Sequence, residues 1–339
     1  MSDSNAAESN VVGRFALEGE EIRGQYVRLD STWWALREHL DYPPVVRDLL
    51  GEAVAAAVLL ASTLKFDGSL TLQMQGSGAV RLLVAQCTQD FQVRAMALFD
   101  AARVTNNFSV LAGEGQIVVT VETQRTGASY QGIVPLTGDS LSACLDGYFM
   151  QSEQLPTQLR LVADAKSIGG LLIQRIPGAG GTATAGVAAG GGSVDASAAA
   201  AVAAGVAAGE AAGAAAALVD TQRGGAAEAN WARAQATLRT ISAEDLLLRP
   251  VADLARSCFA EQDLRLFAAR AVVFQCRCSA ERVGGVLRSL GIDDVRALVR
   301  EQGKVVVTCE FCQKPWNYDA IDVEQLFVQP LSEASDAVN

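Results

Sequence analysis

The chain has 339 residues, half of them apolar, with 38 acidic against 27 basic side chains and a formal net charge of −11. That length accommodates two or three domains and a substantial core, while the acidic balance argues against a surface that tracks nucleic-acid phosphates. Residues 1–10 are polar and acidic, with neither a basic start nor an apolar stretch, so no export signal is read there. A disordered N-terminus and a cytoplasmic protein are expected.

Residues 11–30 carry two alternating, strand-like runs, Arg14 to Leu17 and Ile22 to Leu29. Ser31-Thr32 signals a helix start and Pro43-Pro44 a break. The alanine-rich run from Val45 to Leu64 then continues as helix until Asp67-Gly68. Leu70, Leu72 and Met74, then Val80, Leu82 and Val84, alternate with polar residues on either side of Gly76-Ser77-Gly78, which predicts a hairpin. Further strands are expected at Gln92 to Leu98, Gly115 to Thr123 and Ser129 to Pro135. Asp139 or Ser140 can cap a helix whose stripe is Leu141, Leu145, Tyr148 and Phe149. A strand pair, Thr157 to Ala163 and Gly170 to Ile176, closes a domain over 11–177. The pattern predicts the α+β class, a mainly antiparallel sheet with one apolar face covered by helices.

From 178 to 230 the sequence is almost all alanine and glycine. Ala198 to Leu218 has the length of a membrane span, yet alanine contributes little transfer energy and Gly205, Glu210 and Gly213 weaken the case further. A solvated linker, helical in places, is expected, and no membrane partner. Structure resumes at Trp231. Ser242 offers an N-cap ahead of Leu246, Leu247 and Leu248, and Pro250 breaks that helix or opens a second through Leu254 and Cys258. This helical linker segment, 231–275, has few large residues and needs a neighbour to stay folded. Beyond it Ser279 can cap a helix ending near Gly291, Asp293 can open another ending near Gly303, and a strand runs from Lys304 to Thr308. A terminal helix, Asp319 to Phe327, precedes a polar tail over 329–339 that is expected to be disordered.

Seven cysteines without an export signal suggest thiols kept reduced for metal or redox work. Cys87, Cys144 and Cys258 fall in apolar patterns and read as core. The single histidine, His39, excludes a multi-histidine metal site. The other four thiols form two tight pairs, Cys276-Arg277-Cys278 and, 30 residues later, Cys309-Glu310-Phe311-Cys312. A soft closed-shell cation such as Zn²⁺ takes four thiolates at tetrahedral corners, about 2.3 Å from each sulfur. Cys309-x-x-Cys312 has the usual knuckle spacing. Cys276-x-Cys278 can share a metal too, but can also close a small, strained disulfide ring once the metal leaves.

Three readings of the quartet stand at this point: a closed structural zinc site, a redox-switched site, and a thioredoxin-like catalytic pair. The last needs a βαβ domain after the Cys-x-x-Cys, and only 27 residues follow Cys312. A C-terminal module of about sixty residues extracts about 3–5 kcal/mol from its core. A four-thiolate zinc site contributes about 10–16 kcal/mol to folding in small zinc peptides. Oxidising the thiolates should therefore unfold the module, and the thiolate form is also the one that reacts with peroxide or hypochlorous acid.

The Cys-x-Cys, 30-residue spacer, Cys-x-x-Cys order, together with Tyr148-Phe149-x-x-Ser152-Glu153-Gln154 and Gly169-Gly170-Leu171-Leu172-Ile173-Gln174, resembles the 33-kDa heat-shock protein family, the bacterial redox-regulated holdase chaperones. The resemblance spans about 11–177 and 231–328. It implies a zinc-binding redox-switch domain over 276–328, with Cys276, Cys278, Cys309 and Cys312 holding one Zn²⁺ in a folded, largely inactive reduced state. It also implies that oxidation joins Cys276 to Cys278 and Cys309 to Cys312, releases zinc, loosens the metastable segment, exposes apolar surface and gives a homodimer. Unfolded client proteins would be held without ATP, and no catalytic residue is implied.

Two features depart from the family. The alanine/glycine insert is longer than the usual connection, and Cys258 adds a thiol to the loosening segment. Ser152, Glu153 and Gln154 are assigned no catalytic part; they read as helix termination and packing. The competing function classes are a constitutive structural-zinc adaptor, which predicts slow thiols and no gain of binding on oxidation, and a thiol oxidoreductase, which predicts turnover of a disulfide substrate.

Overall fold

A helix with 13 of its 20 residues buried, Pro44 to Thr63, has no face to give to solvent and must be enclosed. In the computed structural model it is enclosed by two six-stranded sheets. The structure describes residues 9–125, 127–151, 155–176 and 214–328. The expectations for Ser152, Glu153 and Gln154, for most of the alanine/glycine insert, for nearly all of the N-terminal decapeptide and for the C-terminal tail lie outside those residues.

The chain opens with β1 (Val11–Leu17), β2 (Ile22–Leu29), α1 (Ser31–Arg37) and the enclosed helix, α2 (Pro44–Thr63). β3 (Gly68–Gly76), β4 (Val80–Thr88) and β5 (Gln92–Phe99) form a meander. After α3 (Phe108–Ala112) come β6 (Gly115–Thr123), β7 (Ser129–Pro135), α4 (Leu141–Gln151), β8 (Thr157–Ala163) and β9 (Ile168–Arg175). The linker segment supplies α5 (Ala214–Thr240), α6 (Ala243–Leu248), α7 (Val251–Cys258), β10 (Leu264–Leu266), β11 (Arg270–Ala271) and β12 (Val273–Phe274). The first sheet runs β10-β1-β2-β9-β8 with β11 also on β1, and the second runs β12-β5-β4-β3-β6-β7. Every pairing is antiparallel except that of β12 with β5.

The α+β class holds, and two expectations are corrected. There are two sheets rather than one, because α2 buries 13 of its 20 residues and needs a wall on each side. The insert, expected to be helical in places, is helical from Ala214, where α5 begins, since alanine is the strongest helix former. The segment expected to be helical ends in three strands of two or three residues, too short to show an alternating pattern.

The first sheet is apolar on both faces, again unlike the expected single face. Val12, Val27, Leu29, Leu161 and Leu172 point to α2 and the main core. Their neighbours Phe15, Leu17, Tyr26, Leu171 and Ile173 point the other way, into a second cluster completed by Trp231, Leu238, Leu246, Leu254 and Phe259 of the linker helices. Phe15 and Phe259 meet with ring centroids 5.5 Å apart. Polar contacts fix the placement. Arg28 donates from Nη1 to the Arg249 carbonyl at 2.9 Å, Ser167 Oγ to the Leu247 carbonyl at 3.3 Å, and Thr32 Oγ1 to the Val272 carbonyl at 2.8 Å. Gly169 of β9 lies directly under Leu246; a Cβ there would sit 2.4 Å from the Leu246 carbonyl oxygen.

The chain divides into two compact units, Met1–Phe274 and Gln275–Asn339. The second contains α8 (Ala280–Leu290), α9 (Ile292–Gln302), β13 (Val305–Thr308), β14 (Pro315–Tyr318) and α10 (Ala320–Val328). Ser279 caps α8, its Oγ accepting from the Arg282 N–H at 3.2 Å. Gly303, at φ 79°, ends α9 in the left-handed conformation that glycine adopts without strain. Its buried core is small: Leu287, Val295, Val305 and Val323. No described helix is long and apolar enough to cross a membrane.

Candidate metal centre

All four sequence-predicted ligands lie in the second unit, on two short segments. Cys276 and Cys278 occupy the extended stretch between β12 and α8, where Ser279 immediately starts the helix. Cys309 and Cys312 sit in the turn of the β13–β14 hairpin, whose strands pair from Val305 with Tyr318 to Thr308 with Pro315. Within that turn the Gln313 N–H donates to the Cys309 carbonyl at 2.7 Å, and the Cys309 N–H donates to the Lys314 carbonyl at 3.1 Å. Gln313 adopts a positive φ of 54°. This tight turn aims both sulfurs to one side. The sequence reading located the knuckle and missed β14, the strand that completes its hairpin.

The four Sγ atoms lie within 4.8 Å of one another. Cys276 and Cys309 are 3.6 Å apart and Cys278 and Cys312 3.5 Å apart. Four sulfurs at about 2.3 Å from a common centre stand about 3.8 Å apart along each tetrahedral edge, so the observed separations fit a single ion with four thiolate ligands. All four residues are half-buried. Burial pushes the Cys312 thiol up, the other three thiols add to that shift, and a backbone hydrogen bond at Lys314 opposes it. Protons on such crowded sulfurs are readily exchanged for a cation, because a central positive charge relieves the repulsion that opposes ionisation.

The remaining thiols are elsewhere. Cys87 and Cys144 are buried in the main core, and burial raises Cys87 to about 12. Cys258 is half-buried against the linker cluster, its thiol likewise raised by burial. His39 follows α1 with its side chain 62% exposed, 4.0 Å from Glu38. The quartet is the one group of potential metal ligands found among the described residues.

A family model described as Hsp33 protein matches residues 10–319. The chain belongs to the Hsp33 family. Among curated relatives, the 33 kDa chaperonin of Nitrosococcus oceani is 34% identical over 93% of each chain. That of Pseudomonas paraeruginosa is 36% identical over 96% of each. The crystal structure of the Thermotoga maritima 33 kDa chaperonin shares the fold, with a TM-score of 0.67 at 18% identity, covering 94% of this chain and 97% of its own. Hsp33 membership supports a chaperone that binds client proteins, in a family that is not a known enzyme class. The four-cysteine cluster is compatible with a redox switch.

Proposed function

We propose that the protein is a redox-regulated, ATP-independent holdase of the cytoplasm, with the four thiols as its sensor and the linker as its moving part. The observation that carries this reading is the linker's placement. Its helices cover an apolar sheet face of Phe15, Leu17, Tyr26, Leu171 and Ile173, and its last strand, β12, ends two residues before Cys276.

In the reduced state Cys276, Cys278, Cys309 and Cys312 would hold one Zn²⁺. The ion would supply most of the folding free energy of a unit whose described residues include only five buried apolar side chains, Val283, Leu287, Val295, Val305 and Val323. Oxidation by two equivalents of hydrogen peroxide would remove four electrons from the four zinc-bound thiolates, with four protons taken up from solvent. It would form the disulfides Cys276–Cys278 and Cys309–Cys312, the pairing implied by the family resemblance, and give four molecules of water from hydrogen peroxide. Disulfide sulfurs no longer provide four thiolate ligands, so the second unit would lose its cross-link. The adjoining linker would then loosen and bare the sheet face. Exposed apolar surface of that size binds unfolded chains, or a second copy of the protein, by burial rather than by charge, which suits an acidic protein and accounts for a homodimer on oxidation.

The reading is tested by titrating full-length reduced protein with peroxide at elevated temperature, with released zinc, remaining thiols and suppression of client aggregation measured in the same samples. The three should move together, with about one zinc released per chain. Loss of thiols and metal without any suppression of aggregation would leave a structural-zinc protein.

A further inference from the structure

Between β10 and β11 the linker slips in register along β1. Phe15 pairs with Leu266 and Val12 with Arg270, so that Gly13 and Arg14 face three linker residues, Phe267, Ala268 and Ala269. The extra residue is a bulge, a feature often found beside sites because it interrupts pairing and re-aims side chains. It borders a recess of about 510 Å³ between β1, the end of α2 and the β4–β5 turn, whose lining includes Arg14, Lys65, Phe66, Asp90, Phe91 and Arg270. That volume falls in the range of about 300–1,000 Å³ typical of small-molecule sites.

In a chain of net charge −11, this concavity carries three cations against one carboxylate. The carboxylate, Asp90, lies 3.6 Å from Arg270, whose guanidinium also stacks 4.5 Å from the centre of the Phe91 ring and is thereby held at the rim. Among the described residues Arg14 and Lys65 form no ion pair, and both are exposed to solvent. Two planar guanidinium forks and an ammonium around one cavity match several acceptor oxygens at once, the pattern that recognises phosphate groups. The recess is roomier than a single phosphate needs.

We propose that this recess binds a soluble, multiply charged phosphoanhydride, of nucleotide size or smaller, through Arg14, Lys65 and Arg270. Arg14 and Lys65 belong to the core and Arg270 to the linker, so the bound anion bridges them and holds β11 against β1. A ligand that binds only the docked linker shifts the equilibrium towards it by mass action. This regulatory consequence rests on the holdase reading; the binding site does not.

The test uses reduced full-length protein and calorimetric titration with sodium tripolyphosphate and, separately, with ATP, alongside an Arg14→Gln/Lys65→Gln variant checked for an unchanged far-UV spectrum. Tripolyphosphate binds with one site per chain. In the variant its affinity falls by about tenfold, the combined effect expected of two solvent-exposed charge contacts. The ligand also slows amide hydrogen exchange over residues 264–271. Similar affinities for the two ligands assign recognition to the phosphate chain, and tighter ATP binding assigns an added contact to the aromatic lining; either supports the site. No binding of either ligand, equal affinity in the variant, or unchanged exchange over 264–271 in the bound state overturns the proposal. Because the titration involves no oxidation, its failure and that of the redox reading are separately visible.

Discussion

Replacing Gly169 with alanine adds one methyl group under the linker and removes none of the apolar surface that the linker covers. Gly169 has no positive φ, so alanine is acceptable to the strand itself. The new Cβ would stand 2.4 Å from the Leu246 carbonyl oxygen, 2.9 Å from its carbon and 3.1 Å from the Leu246 Cβ. Two of these three atoms are backbone, so α6 must lift. Overpacking of this kind costs about 1–3 kcal/mol. If the whole cost falls on docking, the undocked fraction of reduced protein rises by about 5- to 150-fold. Hydrogen exchange over 243–259 reads the docking directly, and suppression of aggregation of a heat-unfolded client by reduced protein reads its consequence. Faster exchange confined to the linker, with partial activity in the absence of oxidant, is expected. Unchanged exchange at α6 would refute the packing argument, and faster exchange without any activity would refute the link between docking and client binding.

Two other predictions concern the second unit and the main core. Cys309→Ser removes one of four ligands and should forfeit several of the about 10–16 kcal/mol that a four-thiolate site supplies. The purified reduced variant should hold less than the wild-type zinc and be cut by protease within 276–328, while α2 keeps its exchange protection. Glu52 is raised to about 7 by burial first and by Asp48 second, with Arg160 opposing. Its folded pKa thus lies above its unfolded value of 4.5. The native state binds this proton more tightly than the unfolded state, so the contribution is present below the unfolded pKa and is lost as pH rises through about 7. Denaturant midpoints of the first unit's transition should be higher at pH 5.5 than at pH 8, and Glu52→Gln should flatten that dependence.

Much of the fold was legible because the chemistry was local. The period-two runs from Leu70 to Val84 and from Gly115 to Pro135 gave strands close to those observed, and Ser242 and Ser279 act as the helix caps expected of them. What the sequence concealed was long-range. A continuous apolar strand such as Ile168–Arg175 has both faces buried, but alternation cannot say what lies against the second face. Leu264–Leu266 and Val273–Phe274 become strands only because the edges of β1 and β5 are available to pair with them. The four-thiol cluster was the most legible feature, since two tight cysteine pairs on short segments are brought within 4.8 Å of one another. The strand β14 that braces it begins at Pro315, a residue that reads as a break. The cationic recess was invisible, because Arg14, Lys65 and Arg270 are brought together only by the fold.

The central claim is that the oxidation state of four sulfurs governs whether the linker stays on the first sheet. Amide hydrogen exchange of the full chain, compared between fully reduced protein and protein with all four thiols oxidised, tests it most directly. The account predicts that α5 to α7 and β10 to β12 lose protection on oxidation while α2, β3 and β4 retain theirs. Equal protection of the linker in both states would contradict it.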